Sequence, residues 1–187
     1  MAAILLLSSA FVCTSCKKKV KDTETIIVPK EVVEQPKGTQ TMKPLKTEKT
    51  VSWIDKTYTI FIERSADTSL PFTYDESDNR YYDNVVTLTV KRPDGTEFFS
   101  RTFKKKDFEQ YLSDDMKTTG ALLGIVFDKN DADNLYFAAS IGSPDASSDY
   151  YTPFIVKLTR FGEISIKKDQ NMDTGAVDND EDFEDEI

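Results

Sequence analysis

Val85 to Phe103 reads VVTLTVKRPDGTEFFSRTF. Val86, Leu88 and Val90 alternate with Thr87, Thr89 and Lys91, so every second side chain faces one apolar side, the pattern of a half-buried strand. Pro93-Asp94-Gly95 follows as a turn, because Pro presets φ and Gly accepts positive φ at no steric cost. Thr96 to Phe103 then returns as a second strand. A hairpin of this kind predicts an antiparallel sheet.

The pattern continues on both sides of that hairpin. Upstream, Ile54, Tyr58, Ile60 and Ile62 share a face of one extended stretch. Downstream, Leu122 to Phe127 is an apolar run, and Leu135, Phe137, Ala139 and Ile141 alternate after a polar turn. Phe154, Val156 and Leu158 alternate with Lys157 and Thr159, and Arg160-Phe161-Gly162 leads into Ile164 and Ile166. One helix interrupts the strands: Asp107 and Gln110 have capping-box spacing, and Phe108, Tyr111 and Leu112 fall at i, i+3 and i+4. The expected fold is all-β, an antiparallel β-sandwich or open barrel of about seven or more strands with one short helix.

Composition narrows the chemistry. The chain has 187 residues, with 33 Asp+Glu against 24 Lys+Arg, two Cys and no His. Without His there is no Ser-His-Asp or Cys-His dyad and no Cys/His zinc site, which leaves little enzyme chemistry to consider. A net charge of -9 argues against nucleic acid as a partner. The glycines do not fall in a phosphate-loop spacing, so no cofactor is expected. Lys104-Lys105-Lys106 reads as a solvated charge run.

Met1 to Phe11 (MAAILLLSSAF) is apolar and too short to span a bilayer, which needs about 20 such residues, but it suits the apolar part of a signal peptide. Thr14 and Ser15 are small and precede Cys16, an arrangement that resembles a bacterial lipobox, with Cys13 standing where Leu is usual. By that resemblance residues 1–15 are a lipoprotein signal peptide and Cys16 carries the lipid, giving the membrane as a partner. Residues 16–49 follow as a flexible tether: Lys17 to Lys49 holds nine Lys against five Asp+Glu, with Pro29, Pro36 and Pro44 breaking regular structure. A competing reading makes Ile26 to Val33 an added edge strand. The globular domain is expected over 50–172. Residues 173–187 (DTGAVDNDEDFEDEI), with eight acids and no base, are expected to be a disordered tail.

Three groups of residues carry candidate chemistry. Asp128 to Asn134 (DKNDADN) is carboxylate-rich, but Ala132, Asp133 and Ala139 occupy positions where a calcium loop needs a ligand, Gly and Glu, so it reads as a turn and no metal site is assigned. Asp75, Glu76, Asp78, Asp83, Asp114 and Asp115 offer carboxylates for a His-free glycosidase only if two of them converge. Tyr81-Tyr82 and Tyr150-Tyr151 lie in polar loop contexts and pair an apolar face with a polar tip, which suits a glycan or protein partner. Strand alternation, in contrast, would pack one Tyr of each pair on the core.

The lipidated Cys, the polar tether and the β-rich core, with LYFAASIGSPD from Leu135 and FIVKLTRFGEISI from Phe154, resemble an uncharacterised lipoprotein family of Bacteroidetes built on a domain of unknown function. The resemblance implies no activity and transfers no catalytic residue. Lys17-Lys18-Lys19 directly after Cys16, where surface-bound lipoproteins of such bacteria tend to carry acids, implies the periplasmic face of the outer membrane. The expectation is therefore a lipid-anchored, non-enzymatic binding or scaffold module of the cell envelope. The alternative is a carbohydrate-binding or carbohydrate-processing protein that uses the loop Tyr and Asp residues.

Overall fold

The computed structural model describes residues 38–170. The expected signal peptide, Cys16, most of the tether including Ile26 to Val33, and the acidic tail lie outside the described residues. Ten strands build the fold: β1 (Leu45–Trp53), β2 (Lys56–Ala66), β3 (Phe72–Tyr74), β4 (Arg80–Tyr82), β5 (Asn84–Lys91), β6 (Glu97–Lys104), β7 (Ala121–Asn130), β8 (Asn134–Gly142), β9 (Tyr151–Thr159) and β10 (Ile164–Lys168). One sheet has the order β1-β2-β5-β6, a second β10-β9-β8-β7, and β3-β4 forms a separate two-stranded ribbon. Every pairing within the sheets is antiparallel. The fold is the all-β sandwich that the alternation predicts.

Alternation decides which face is inside. From the first sheet Tyr58, Ile60, Ile62, Val86, Leu88, Val90 and Phe103 are buried; from the second Leu135, Phe137, Ile141, Phe154, Val156 and Leu158. They form one apolar cluster, and each large side chain buried there contributes about 1.5–3 kcal/mol. The outward face of the first sheet is hydroxyl-rich, with Thr87 bonded to Thr102 at 2.9 Å and Thr89 to Ser100 at 3.0 Å across strands.

Two expected turns form as read. Gly95 has φ +83, and Asp94 Oδ1 accepts from the Thr96 backbone N–H at 2.9 Å. Between β9 and β10 Gly162 has φ +82 and donates to Thr159 O at 2.9 Å. Asp128 to Asn134 closes the β7–β8 hairpin, and Asp131 Oδ1 accepts from the N–H groups of Asp133 and Asn134, both at 2.8 Å. That carboxylate is occupied by its own loop.

Three local expectations need correction. Ile54 does not share the face of Tyr58, Ile60 and Ile62, because the chain reverses there. Trp53 pairs with Lys56, and Ile54 (φ 51) and Asp55 (φ 56) form a two-residue turn with both φ values positive, the hallmark of a type I′ hairpin. The helix is two short pieces, a 3-10 segment at Lys105–Tyr111 and an α-helix, α1, at Asp114–Thr119. Asp107 caps the 3-10 segment from its third position, accepting from Lys104 N at 2.8 Å, and Ser113 caps α1 by accepting from Met116 N at 3.3 Å. The ordered fold also begins ahead of Thr50. β1 starts at Leu45, and Gln40 brackets the ribbon by donating to Arg80 O (2.8 Å) and accepting from Tyr82 N (3.0 Å).

Candidate functional site

The two helical pieces, the β3–β4 ribbon and the segment leading into it enclose a cavity of about 550 Å³. Its size lies within the range of about 300–1,000 Å³ usual for small-ligand sites. Leu70, Pro71, Phe72 and Leu112 supply apolar lining, and Lys104, Lys105, Lys106, Lys117, Glu109 and Asp83 supply charge.

The charge run Lys104-Lys105-Lys106 is split by the change of backbone. Lys104 ends β6, and Lys105 opens the 3-10 segment. Leaving strand geometry at that point turns the Lys105 side chain inward, to 15% exposure, while Lys104 and Lys106 remain exposed. Reading all three as solvated is therefore corrected for Lys105. Its Nζ donates to Gly120 O at 2.6 Å and stands 3.7 Å from Asp83 Oδ2.

Asp83 links β4 to β5 and is 3% exposed. Its Oδ1 accepts from Asn84 N (2.7 Å) and from Leu122 N (3.0 Å), tying the first sheet to the start of β7. Burial pushes the Asp83 carboxyl pKa up, against the pull of those N–H groups and of Lys105. Burial pushes Lys105 down, against the pull of Asp83. Both charged forms are thus held at a desolvation cost. Gly120 permits the close approach, since a Cβ there would lie 2.6 Å from Met116 O and 2.6 Å from Met116 Sδ.

Phe72 is 37% exposed on the cavity wall, yet it is fixed in place. The Tyr82 ring lies 5.4 Å from it and the Arg80 guanidinium 4.5 Å above it. Next to it in β3, Thr73 is fully buried and donates from Oγ1 to Thr119 O, joining the ribbon to α1.

The other candidate tyrosines stand apart from this cavity's lining. Tyr81 is buried and its OH donates to Asp75 Oδ2 at 3.4 Å; Tyr82, its neighbour, packs on Phe72. Tyr150 and Tyr151 are 48% and 47% exposed, and Tyr150 OH donates to Asp115 Oδ2 at 3.3 Å. Glu76 connects the two regions by accepting from Ser143 Oγ (2.5 Å) and Ser148 Oγ. Burial pushes the Asp75 carboxyl up, but donors from Asn79, Ser77 and Tyr81 hold it below the usual carboxylate range. The Ser143 and Ser148 hydroxyls likewise hold Glu76 low. Asp78, φ 58, sits in the turn between β3 and β4, and Asp114 pairs with Lys117 at 2.8 Å. The site that composition and spacing did not reveal is the Asp83–Lys105 cavity. The signal in hindsight is a Lys triplet placed where a β pattern gives way to a helical one.

These features define an antiparallel β-sandwich with a charged-floored cavity beside its helical insert. The chain belongs to the family described as Domain of unknown function (DUF4738), whose model matches residues 27–166 and so includes every residue lining the cavity. No curated protein matches the chain. Among the described residues, no helix is long and apolar enough to cross a membrane.

Proposed function

We propose that the protein is a lipid-anchored binding module of the bacterial cell envelope, without catalytic activity, whose ligand occupies the cavity floored by Asp83 and Lys105. The observation that carries the reading is the cavity itself: about 550 Å³, an apolar wall with a rigidly held Phe72, and a desolvated ion pair inside it. The anchor is Cys16, and the basic tether after it supports placement at the periplasmic face of the outer membrane in a bacterium of the Bacteroidetes. Screening small fragments by NMR on the folded chain tests the site. Perturbed amides should gather at Leu70–Phe72, Lys104–Glu109 and Leu112–Thr118, and binding scattered over the outer sheet faces would refute the assignment. Metabolic labelling with a fatty acid tests the anchor, with label and membrane retention both lost in Cys16→Ala.

A second reading places a glycan against Tyr150 and Tyr151. It is favoured by their half-exposed rings and by the carboxylates of Glu76 and Asp115 beside them. Intrinsic fluorescence during titration with cell-envelope oligosaccharides, repeated with Tyr150→Ala and Tyr151→Ala, tests it.

A further inference from the structure

Resting on the cavity being a ligand site, the geometry points to its ligand class: a single-chain anionic amphiphile, an acidic headgroup on an apolar body. Charge sets the sign. The chain as a whole is acidic, at -9, yet four lysines line this cavity against two acids, Asp83 and Glu109. The local balance therefore opposes the overall one.

The four lysines are not equivalent. Lys117 is paired with Asp114 at 2.8 Å. Lys105 has two neighbours, Gly120 O and Asp83 Oδ2, and an ammonium carries three donors, so one N–H remains for a ligand. Lys104 and Lys106 are exposed and take part in no ion pair within 4.0 Å among the described residues. Three donors are thus open to an anion. Asp83 does little to repel one, since its Oδ1 is bound by two backbone N–H groups and its Oδ2 faces Lys105.

The apolar requirement comes from the rest of the lining. Leu70, Pro71, Phe72 and Leu112 give an anion nothing to bond, and Phe72 keeps over a third of its surface in water when the cavity is empty. Covering such surface favours binding by about 25 cal/mol per Å². A small inorganic anion would leave that gain unused. A cationic amphiphile would meet the unpaired lysines.

Calorimetric titration of the full chain with octanoate, octyl phosphate, octanol, octylammonium and acetate separates these terms. Octanoate or octyl phosphate should bind, and whichever binds more tightly identifies the headgroup. Octanol should bind about tenfold more weakly, and octylammonium and acetate should give no saturable heat. Lys104→Ala with Lys106→Ala should weaken the anion about fivefold to tenfold, as expected of two exposed charges, and leave octanol unchanged. Octanol or octylammonium binding as tightly as octanoate would overturn the anionic class while leaving the cavity as a ligand site. No heat from any eight-carbon probe, with fragments still mapping to the cavity by NMR, would overturn the amphiphile class alone. Fragments missing the cavity would remove the underlying reading.

Discussion

Lys105 Nζ stands 3.7 Å from Asp83 Oδ2, and the two side chains are 15% and 4% exposed. Such a pair is dangerous to break: one partner removed leaves a buried charge, at a cost of about 3 kcal/mol, whereas an apolar exchange of both is often tolerated. Lys105→Met should therefore lower stability by about that amount in urea titrations, and adding Asp83→Asn should recover most of it. The deficit of Lys105→Met also has a pH signature. Burial raises the folded pKa of Asp83, so its ionised form is the disfavoured one. The penalty is present above the folded pKa and fades as pH falls below the unfolded value, about 3.9. A deficit that grew in acid would contradict this placement of the charge.

Asp75 and Glu76 have the opposite sign. Hydrogen-bond donors hold both carboxyl pKa values below their ordinary range, despite the opposing effect of burial on Asp75. A depressed folded pKa contributes stability that is full above the unfolded value and is lost as pH falls through the folded one. The protein should thus lose stability below about pH 4. Asp75→Asn should flatten that acid limb in denaturation curves recorded at successive pH values, at the cost of lower stability at neutral pH, because Ser77 and Asn79 lose a charged acceptor.

The sheets were legible because alternation is local: Val86, Leu88 and Val90 need only a period of two to declare their face. Gly95 and Gly162 marked turns for an equally local reason, their tolerance of positive φ. The turn at Ile54–Asp55 was hidden because neither residue is one that positive φ selects. β3 and β4, three residues each, are too short to show a period. Alternation correctly separated Tyr81 from Tyr82, but Tyr150 precedes β9 and escapes the rule, so both members of its pair face water. Lys105 was illegible because its burial depends on where the backbone leaves the strand and on Asp83 and Gly120 arriving from distant segments.

Residues ahead of Thr50 should matter for stability. Gln40 makes two backbone bonds to the β3–β4 ribbon, Arg64 donates to Lys43 O at 2.7 Å, and Leu45 to Lys49 pair with β2. At about 1 kcal/mol net for each hydrogen bond, a chain beginning at Thr50 should be less stable than one beginning at Gly38 by about 3 kcal/mol or more. Thermal melts of the two chains check this. The ribbon amides of Arg80 and Tyr82 should also exchange faster in the shorter chain. Equal melting temperatures would mean that the first half of β1 contributes nothing to the sandwich.

The turn joining β1 to β2 offers a gain instead of a loss. Ile54 and Asp55 hold φ values of 51° and 56°, a region that a β-branched side chain occupies only under strain. The flanking residues impose the turn regardless. Trp53 is 2% exposed and packs edge-on against Tyr58 at 5.2 Å and Phe98 at 5.5 Å, which fixes the register at the Trp53–Lys56 pair. Core packing thus overrides turn preference at this point. Ile54 is 37% exposed, so replacing it sacrifices little buried surface. Ile54→Asn with Asp55→Gly supplies the two residues that a type I′ turn favours, and should raise stability by about 1 kcal/mol. Urea midpoints read the change, and the slope with denaturant should stay constant if the fold is otherwise unaltered. Gly alone at position 55 should give a smaller part of the gain. A loss of stability in both variants would show that the Ile54 side chain does more at the surface than its exposure suggests.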